Sequence, residues 1–330
     1  MTAAVLERTT WDAPDVTRLR TQQQAELRAR YGDDDIGHLM AGDDIVAMLV
    51  LRVDGEPVAC GALRDAGELA PRTGELKRMF VLPAHRGNGH SRAVLMELER
   101  IAVEHGYERL VLETGPLQPE AIGLYLSAGY APTENYGEYV GVADSRCFAK
   151  ALAAAPAGSR PRSGAPVAWV AVEPRPWRDT EAAALRRRMW DETIVPVYPE
   201  VGARVAAEGG YDVMDDRIGA GELATWVALV DGRPVGCLSL CEPGPDQPDG
   251  TAELKKLFVD PAARGAGVAT TLLAAADDEA RARGLERLVL HTGVRQPDAV
   301  RLYVALGWRP VAPFAPWERD ALALCFARTL

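Results

Sequence analysis

The chain has 330 residues, of which 48% are apolar and 25% charged, and its formal net charge is −10. This composition is typical of a soluble globular protein, and the length suffices for two domains that each bury a core. The negative charge argues against nucleic acid as a partner, and no apolar run approaches the ~18 residues of a membrane span. The N-terminus lacks a signal-peptide pattern, which predicts a cytoplasmic protein.

The first half of the chain predicts alternating strands and helices. We expect a short strand at 5–8, a helix from the region of Asp12 and Asp15 to about Tyr31, and a hairpin with strands 45–53 and 58–63. The pair Asp54-Gly55 marks the hairpin turn, because both residue types accommodate positive φ. Apolar periodicity then predicts, in order, strand 77–81, helix 91–105, strand 109–114, helix 120–128 and a last strand near 145–152.

Residues 153–166 are small, rich in proline and glycine, and without apolar periodicity, which predicts a linker between domains 1–152 and 167–330. The second domain repeats the plan of the first. It predicts a strand at 168–173, a helix from 179 to about 190, an irregular or helical stretch at 201–218 and a hairpin with strands 224–230 and 234–241. The mixed order predicts an α+β, three-layer α/β/α fold in which a mostly antiparallel mixed sheet is flanked by helices.

An internal repeat relates the two halves. Residues 75–152 align with 253–330 without a gap, and about two in five of the paired residues are identical. Cys60 falls opposite Cys237 and Cys147 opposite Cys325, so we expect buried strand cysteines rather than disulfide partners or metal ligands. Cys241 has no histidine cluster beside it, and no metal site is expected.

The most informative stretch occurs twice, as ELKRMFVLPAHRGNGHS at 75–91 and ELKKLFVDPAARGAGVA at 253–269. Each copy predicts a buried strand that ends at proline, then a glycine-rich turn that begins a long helix. The glycines let the backbone approach a ligand closely, and the unpaired amides at the positive end of the helix dipole suit a phosphate. Taken alone, such a turn is more often a plain connection than a ligand site.

The order of a strand ending in Phe-Val, a proline, Arg-Gly-x-Gly-x-Ala and an amphipathic helix resembles the acyl-CoA signature of the GNAT superfamily of acetyltransferases. Both copies continue with a strand and a short helix that carries Ala-x-x-Leu-Tyr. The resemblance implies two tandem GNAT-like domains, acetyl-CoA as co-substrate without a metal, and direct transfer of the acetyl group to the primary amine of a small molecule. The tandem layout is also similar to that of the mycothiol synthases.

The resemblance further implies where the co-substrate binds. Pantetheine would pair with the backbone of the signature strand where it splays from the next strand, and the pyrophosphate would lie on the turn amides. In the first copy these residues are Met79, Phe80, Val81, Arg86, Gly87, Asn88, Gly89, His90 and Ser91. In the second copy they are Leu257, Phe258, Val259, Arg264, Gly265, Ala266, Gly267, Val268 and Ala269.

Catalytic residues follow from the same resemblance. Tyr125 and Tyr303 occupy the position where many family members place a hydroxyl near the thioester sulfur, and such a hydroxyl can protonate the leaving thiolate. The alternative role of these tyrosines is core packing. The attacking amine must lose a proton, and Glu75 and Glu253 begin the signature strand where some members carry the base.

Several alternatives remain open. Glu75 and Glu253 are solvated strand-end residues in the competing interpretation, and His291, opposite Glu113 in the repeat, is either an alternative base or a structural residue. Ser91 replaces the alanine of the turn motif, so one domain could be a non-catalytic acyl-CoA-binding or structural partner. The loops at 33–35, 211–218 and 243–250 are expected to set the acceptor, and self-association into a homodimer is left open.

Overall fold

The computed structural model describes residues 4–32, 42–152 and 170–330. They form two units, each built on a seven-stranded sheet, which we call the N-terminal unit (4–32 and 42–152) and the C-terminal unit (170–330). The predicted loop at 33–35 and the predicted linker at 153–166 lie outside the described residues.

The sheet of the N-terminal unit has the order β1-β2-β3-β4-β5-β7-β6, and only β4 and β5 are parallel neighbours. Its strands are β1 (Ala4–Thr9), β2 (Ile45–Val53), β3 (Glu56–Asp65), β4 (Thr73–Val81), β5 (Arg109–Thr114), β6 (Ala131–Thr133) and β7 (Arg146–Ala151). Its helices are α1 (Pro14–Tyr31), α2 (His90–Glu104) and α3 (Pro119–Ser127).

The C-terminal unit repeats this topology in the order β8-β9-β10-β11-β12-β14-β13, with β11 and β12 as the parallel pair. Its strands are β8 (Val170–Arg175), β9 (Glu222–Val230), β10 (Arg233–Cys241), β11 (Thr251–Val259), β12 (Arg287–Gly293), β13 (Arg309–Val311) and β14 (Ala323–Thr329). Its helices are α4 (Thr180–Met189), α5 (Val195–Val197), α6 (Pro199–Ala207), α7 (Tyr211–Gly219), α8 (Val268–Ala282) and α9 (Pro297–Ala305).

The predicted α+β fold class is confirmed, and the differences are local. Residues 211–218, expected both as part of an irregular or helical stretch and as a loop near the acceptor, form the helix α7 rather than a loop. The short strands β6 and β13 were not expected, since three residues carry too little periodicity to be recognised. Both predicted hairpin turns are present: Asp54 and Gly55 have φ of 49° and 86°, which fits the turn type that matches strand twist.

Helices cover both faces of each sheet. In the N-terminal unit, α2 buries Val94, Leu95 and Leu98 against one face, while α1 buries Val16 and Leu19 against the other. The C-terminal unit repeats this arrangement with α8 and α4. All five cysteines are buried free thiols, as the repeat predicted.

The parallel strands in the middle of each sheet diverge. β4 pairs with β5 only from Thr73 to Leu76, and β11 pairs with β12 only from Thr251 to Glu253. Beyond that point a bulge places Arg78 and Lys256 at φ of 56° and 60°, and the second half of each strand turns away from its neighbour. The result in each unit is a gap in the backbone pairing of the two strands, which we call the β4–β5 cleft and the β11–β12 cleft.

Candidate active sites in the two units

A glycine turn lies at the end of each cleft. Gly89 precedes α2 with φ of 78°, and Gly267 precedes α8 with φ of 82°; neither residue nor any other side chain caps its helix. A Cβ atom at Gly87, Gly89, Gly265 or Gly267 would meet no heavy atom within 4 Å, so the turns face open space. Each helix therefore presents uncapped amides where an anion can approach.

In each turn, the first of the amides predicted to bind the pyrophosphate already has a backbone partner. The amide of Arg86 donates to Pro83 O at 3.3 Å, and that of Arg264 donates to Pro261 O at 3.4 Å, so both are already used by a short turn. The two guanidinium groups instead fasten the turn to the strand end, since Nε of Arg86 donates to Val81 O at 3.1 Å. The free cradle amides begin at Gly87 and Gly265.

Of the three strand residues predicted to pair with pantetheine in each unit, two direct their backbone groups into the cleft. Leu82 donates its amide to Val58 O, so Leu82 and, by strand alternation, Phe80 direct their backbone groups toward β3. Met79 and Val81 therefore face the β4–β5 cleft. In the same way, Asp260 donates to Val235 O, which leaves Leu257 and Val259, not Phe258, facing the β11–β12 cleft. The two phenylalanine side chains are buried in the core.

The two predicted tyrosines lie on equivalent short helices. Tyr125 is 5% exposed and Tyr303 is 7% exposed, and each ring packs edge-on against an aromatic neighbour. Neither hydroxyl has a hydrogen-bond partner within the described parts of the chain. Burial raises the pKa of both phenols, so both stay protonated at neutral pH. A protonated hydroxyl without a partner is suited to donate to a ligand.

Glu75 is buried in a polar cluster. It is the third residue of β4 and has no exposed side-chain surface, so the solvated strand-end interpretation is wrong. Its Oε2 lies 2.5 Å from Nε of Arg64, its Oε1 lies 3.0 Å from Nζ of Lys77, and the Tyr136 hydroxyl donates to Oε1 at 2.9 Å. This carboxylate has two cationic partners and one neutral donor.

Glu253 lies at the equivalent place with fewer partners. It is 2% exposed, and its Oε1 lies 2.6 Å from Nζ of Lys255. The residue opposite Glu253 on β10 is Cys241, whereas the residue opposite Glu75 on β3 is Arg64. Burial raises the pKa of Glu253, and Lys255 only partly opposes this shift. A raised carboxylate pKa brings a group closer to the range useful for a general base.

The residues at the end of the next strand differ between the units. Glu113 accepts a hydrogen bond from Ser145 Oγ at 2.8 Å, and burial raises its pKa. His291 stacks on Trp317 with ring centroids 3.5 Å apart, and burial lowers its pKa to about 3. A histidine with that pKa binds a proton weakly at neutral pH, which argues against His291 as the base.

Several residues of these sites were not singled out from the sequence. Tyr136 reaches Glu75 from the loop after β6, Trp317 stacks on His291 from the loop after β13, and Gln23 reaches the β4–β5 cleft from α1. No sequence pattern marks these three. Arg64 could have been found, because the repeat places Cys241 opposite it and such a charge difference signals unequal sites.

Two absences hold for the ranges 4–32, 42–152 and 170–330. They contain no group of three or more His, Cys, Asp or Glu side chains able to hold a metal ion. None of their helices combines the length and the apolar character that crossing a membrane requires.

Known acetyltransferases are similar to parts of this chain. The IAA acetyltransferase of Azospirillum brasilense is 39% identical over 104 residues, which cover 32% of this chain and 66% of that protein. The uncharacterized N-acetyltransferase YsnE of Bacillus subtilis (strain 168) is 38% identical over 89 residues, which cover 26% of this chain and 57% of that protein. The chain thus spans less than two thirds of the length of these relatives.

Solved structures also align with a single unit. The IAA acetyltransferase from Bacillus cereus ATCC 14579 aligns at 18% identity with a TM-score of 0.35, covering 49% of this chain and 100% of that one. A GNAT family acetyltransferase from Elizabethkingia anophelis with acetyl-CoA bound aligns at 16% identity with a TM-score of 0.34, covering 45% and 97%.

A family model described as "Acetyltransferase (GNAT) family" matches the chain twice, at residues 9–130 and 188–308. The two matches together span more than half of the chain, and each contains one glycine turn, one splayed strand pair and one of the two tyrosines. The chain therefore belongs to the GNAT family of acetyltransferases, whose domain it carries twice in tandem.

Proposed function

We propose that the protein is an N-acetyltransferase that moves the acetyl group of acetyl-CoA to the primary amine of a small molecule by direct attack. One observation carries this proposal: in each unit a split parallel strand pair leads directly to an uncapped helix start. The split exposes backbone groups that can pair with an extended amide-containing chain, and the helix start offers amides to a diphosphate. Family membership and the acetyl-CoA bound to the Elizabethkingia anophelis relative support the same co-substrate.

Each binding element suits one part of the carrier. Among the cleft-facing residues, Leu257 and Val259 would pair with pantetheine, and the amides from Gly265 to Ala269 would hold the diphosphate. The equivalent residues of the N-terminal unit are Met79, Val81 and the amides from Gly87 to Ser91. When bound, acetyl-CoA supplies a thioester that is open to attack by an amine.

The proton transfers fall to the chain's own side chains. Glu253 or Glu75 would take a proton from the acceptor ammonium, directly or through water, because only the neutral amine attacks. Tyr303 or Tyr125 would donate its phenolic proton toward the departing sulfur. The raised pKa of both phenols keeps that proton in place before the reaction. We further propose that 153–166 connects the two domains and that the loop at 243–250 contributes to acceptor choice.

The test is release of free CoA thiol by the purified full-length chain, with acetyl-CoA and a panel of small primary amines. The panel includes the cysteinyl pseudodisaccharide acetylated by mycothiol synthases, because the tandem layout makes a mycothiol-synthase-like activity the second candidate. Acceleration by at least one amine, with acetylated product found by mass spectrometry, is the expected result. If calorimetry finds no binding of CoA or acetyl-CoA, the proposal is wrong.

A further inference from the structure

The Gln23 side chain donates a hydrogen bond to a backbone carbonyl that faces the β4–β5 cleft. Gln23 lies on α1, is 9% exposed, and its Nε2 donates to the carbonyl oxygen of Met79 at 3.0 Å. Met79 faces the cleft, so its carbonyl is one of the acceptors that an incoming extended chain would need. The other amide atom of Gln23, Oε1, is fully buried and has no partner in the described chain. The side-chain amide of Gln23 therefore lies where an amide of a bound extended chain would pair with the strand edge.

The C-terminal unit has no such side chain. In both units an arginine stacks on a tryptophan before the helix, Arg20 on Trp11 at 3.7 Å and Arg186 on Trp177 at 3.9 Å. This anchor fixes the alignment of α1 with α4. The residue three positions after the stacked arginine is Gln23 in α1 and Met189 in α4.

Met189 cannot perform the same function. Its side chain has no N–H donor, and it packs against the apolar cluster under α4. The carbonyl of Leu257, which faces the β11–β12 cleft as Met79 faces the other, accepts no side-chain hydrogen bond among the residues from 170 to 330. The units therefore differ at this one carbonyl, which is used at Met79 and open at Leu257, whereas Val81 O and Val259 O accept from Arg86 and Arg264 alike.

A second, independent difference favours the same unit. Glu75 is held by Arg64, Lys77 and Tyr136, whereas Glu253 is paired with Lys255 alone among cations. The oxygens of Glu75 are therefore already engaged by three donors, and they offer an incoming acceptor ammonium fewer free positions than those of Glu253. Both the strand edge and the carboxylate are thus better prepared for the reaction in the C-terminal unit.

We propose that Gln23 closes the carrier cleft of the N-terminal unit, so that the chain binds and uses acyl-CoA in its C-terminal unit only. This inference rests on the proposed function. It makes Gln23 and Met189 the residues that decide which of the two clefts accepts the pantetheine chain.

The test is calorimetric titration of the full-length chain with CoA, which measures stoichiometry and affinity without turnover. The wild type should bind one equivalent per chain. Gln23→Met should add a second equivalent, and Met189→Gln should weaken the first roughly tenfold, as expected for the loss of one good hydrogen bond. Gln22→Met, an exposed substitution one residue away on α1, is the matched control and should change neither quantity.

Gly267→Glu locates the wild-type event, because a carboxylate in the turn repels a diphosphate. Gly267→Glu alone should abolish CoA binding. The double variant with Gly267→Glu and Gln23→Met should bind one equivalent. Two equivalents in the wild type, no gain with Gln23→Met, or binding that survives Gly267→Glu would each overturn the inference while leaving the proposed function intact. Failure of all these proteins to bind CoA would overturn the proposed function itself.

Discussion

Arg64 and Glu75 face each other across β3 and β4, with Nε of the arginine 2.5 Å from Oε2 of the glutamate, and the repeat puts Cys241 where Arg64 would be in the other unit. The Glu75 side chain is fully buried, while Arg64 retains 21% of its side-chain exposure. Because of this pair, Glu75 has two cationic partners, Arg64 and Lys77, whereas Glu253 has one, Lys255.

Arg64→Ala should destabilise the N-terminal unit by about 2–3 kcal/mol. Removal of the guanidinium leaves a buried carboxylate with one cation, a change that costs more than the loss of a surface pair. Chemical unfolding measures the effect. Arg301→Ala, which breaks the exposed pair with Asp298, is the control and should leave the unfolding midpoint unchanged. Equal effects of the two substitutions would contradict the prediction.

The stability of the C-terminal unit should depend on pH through Glu253. Burial raises the pKa of this carboxyl in the folded chain above the ~4.3 of free glutamate, so the folded state holds the proton more tightly than the unfolded state. Stability from this group is greatest at low pH and falls as pH rises through the folded pKa. Glu253→Gln should therefore gain stability relative to the wild type as the pH rises above ~4.3. A difference that stays constant with pH would contradict this.

Lys256 should destabilise the folded chain at neutral pH. Burial lowers its pKa to about 8, against ~10.4 for a free lysine, so the unfolded chain binds the proton more tightly. Stability therefore rises with pH between about 8 and 10. Lys256→Met should raise the free energy of unfolding by about 1–2 kcal/mol at pH 7, and the gain should shrink toward pH 10. Thermal unfolding across this range tests the prediction, and a gain that grows with pH would refute it.

Arg146 should hold the two units together. It is fully buried and donates to Ala143 O and Ser145 O of its own unit and, at 2.7 and 2.9 Å, to Asp320 O and Ala323 O of the other. Arg146→Leu removes all four hydrogen bonds, although Ser145 O keeps Asn135 Nδ2 as a donor and Asp320 O keeps Ala323 N, and it should cost about 3–5 kcal/mol in unfolding free energy.

The exposed pair between Arg295 and Glu134 also joins the units and supplies the comparison for Arg146→Leu. Glu134→Gln should cost no more than about 1 kcal/mol, because the carboxylate is 59% exposed and solvent screens the pair. Urea unfolding of both variants compares them. A cost for Glu134→Gln that matches that of Arg146→Leu would argue against the buried arginine as the main connection.

Substitution of Gly267 should lower both the stability of the chain and its affinity for CoA. The φ of 82° at Gly267 is unfavourable for any residue with a Cβ, so Gly267→Ala should cost about 1–2 kcal/mol of stability even though no atom lies near. The same strain should lower CoA affinity by shifting the cradle amides. Gly284→Ala, at φ of 71° beyond the end of α8, is the control with similar strain and unchanged CoA binding. Loss of CoA affinity in both variants would point to global destabilisation instead.

The tandem α+β units, the repeat, the hairpin turns and the two glycine turns that begin α2 and α8 could all be predicted from the amino-acid sequence. These features depend on neighbours in the chain, since apolar periodicity and the φ preference of glycine act within a few residues. Three contacts, by contrast, are visible only in the folded chain: Gln23 with Met79, Arg64 with Glu75, and Trp317 with His291. Such contacts depend on strand register and on how helices pack across the sheet, which no local pattern encodes.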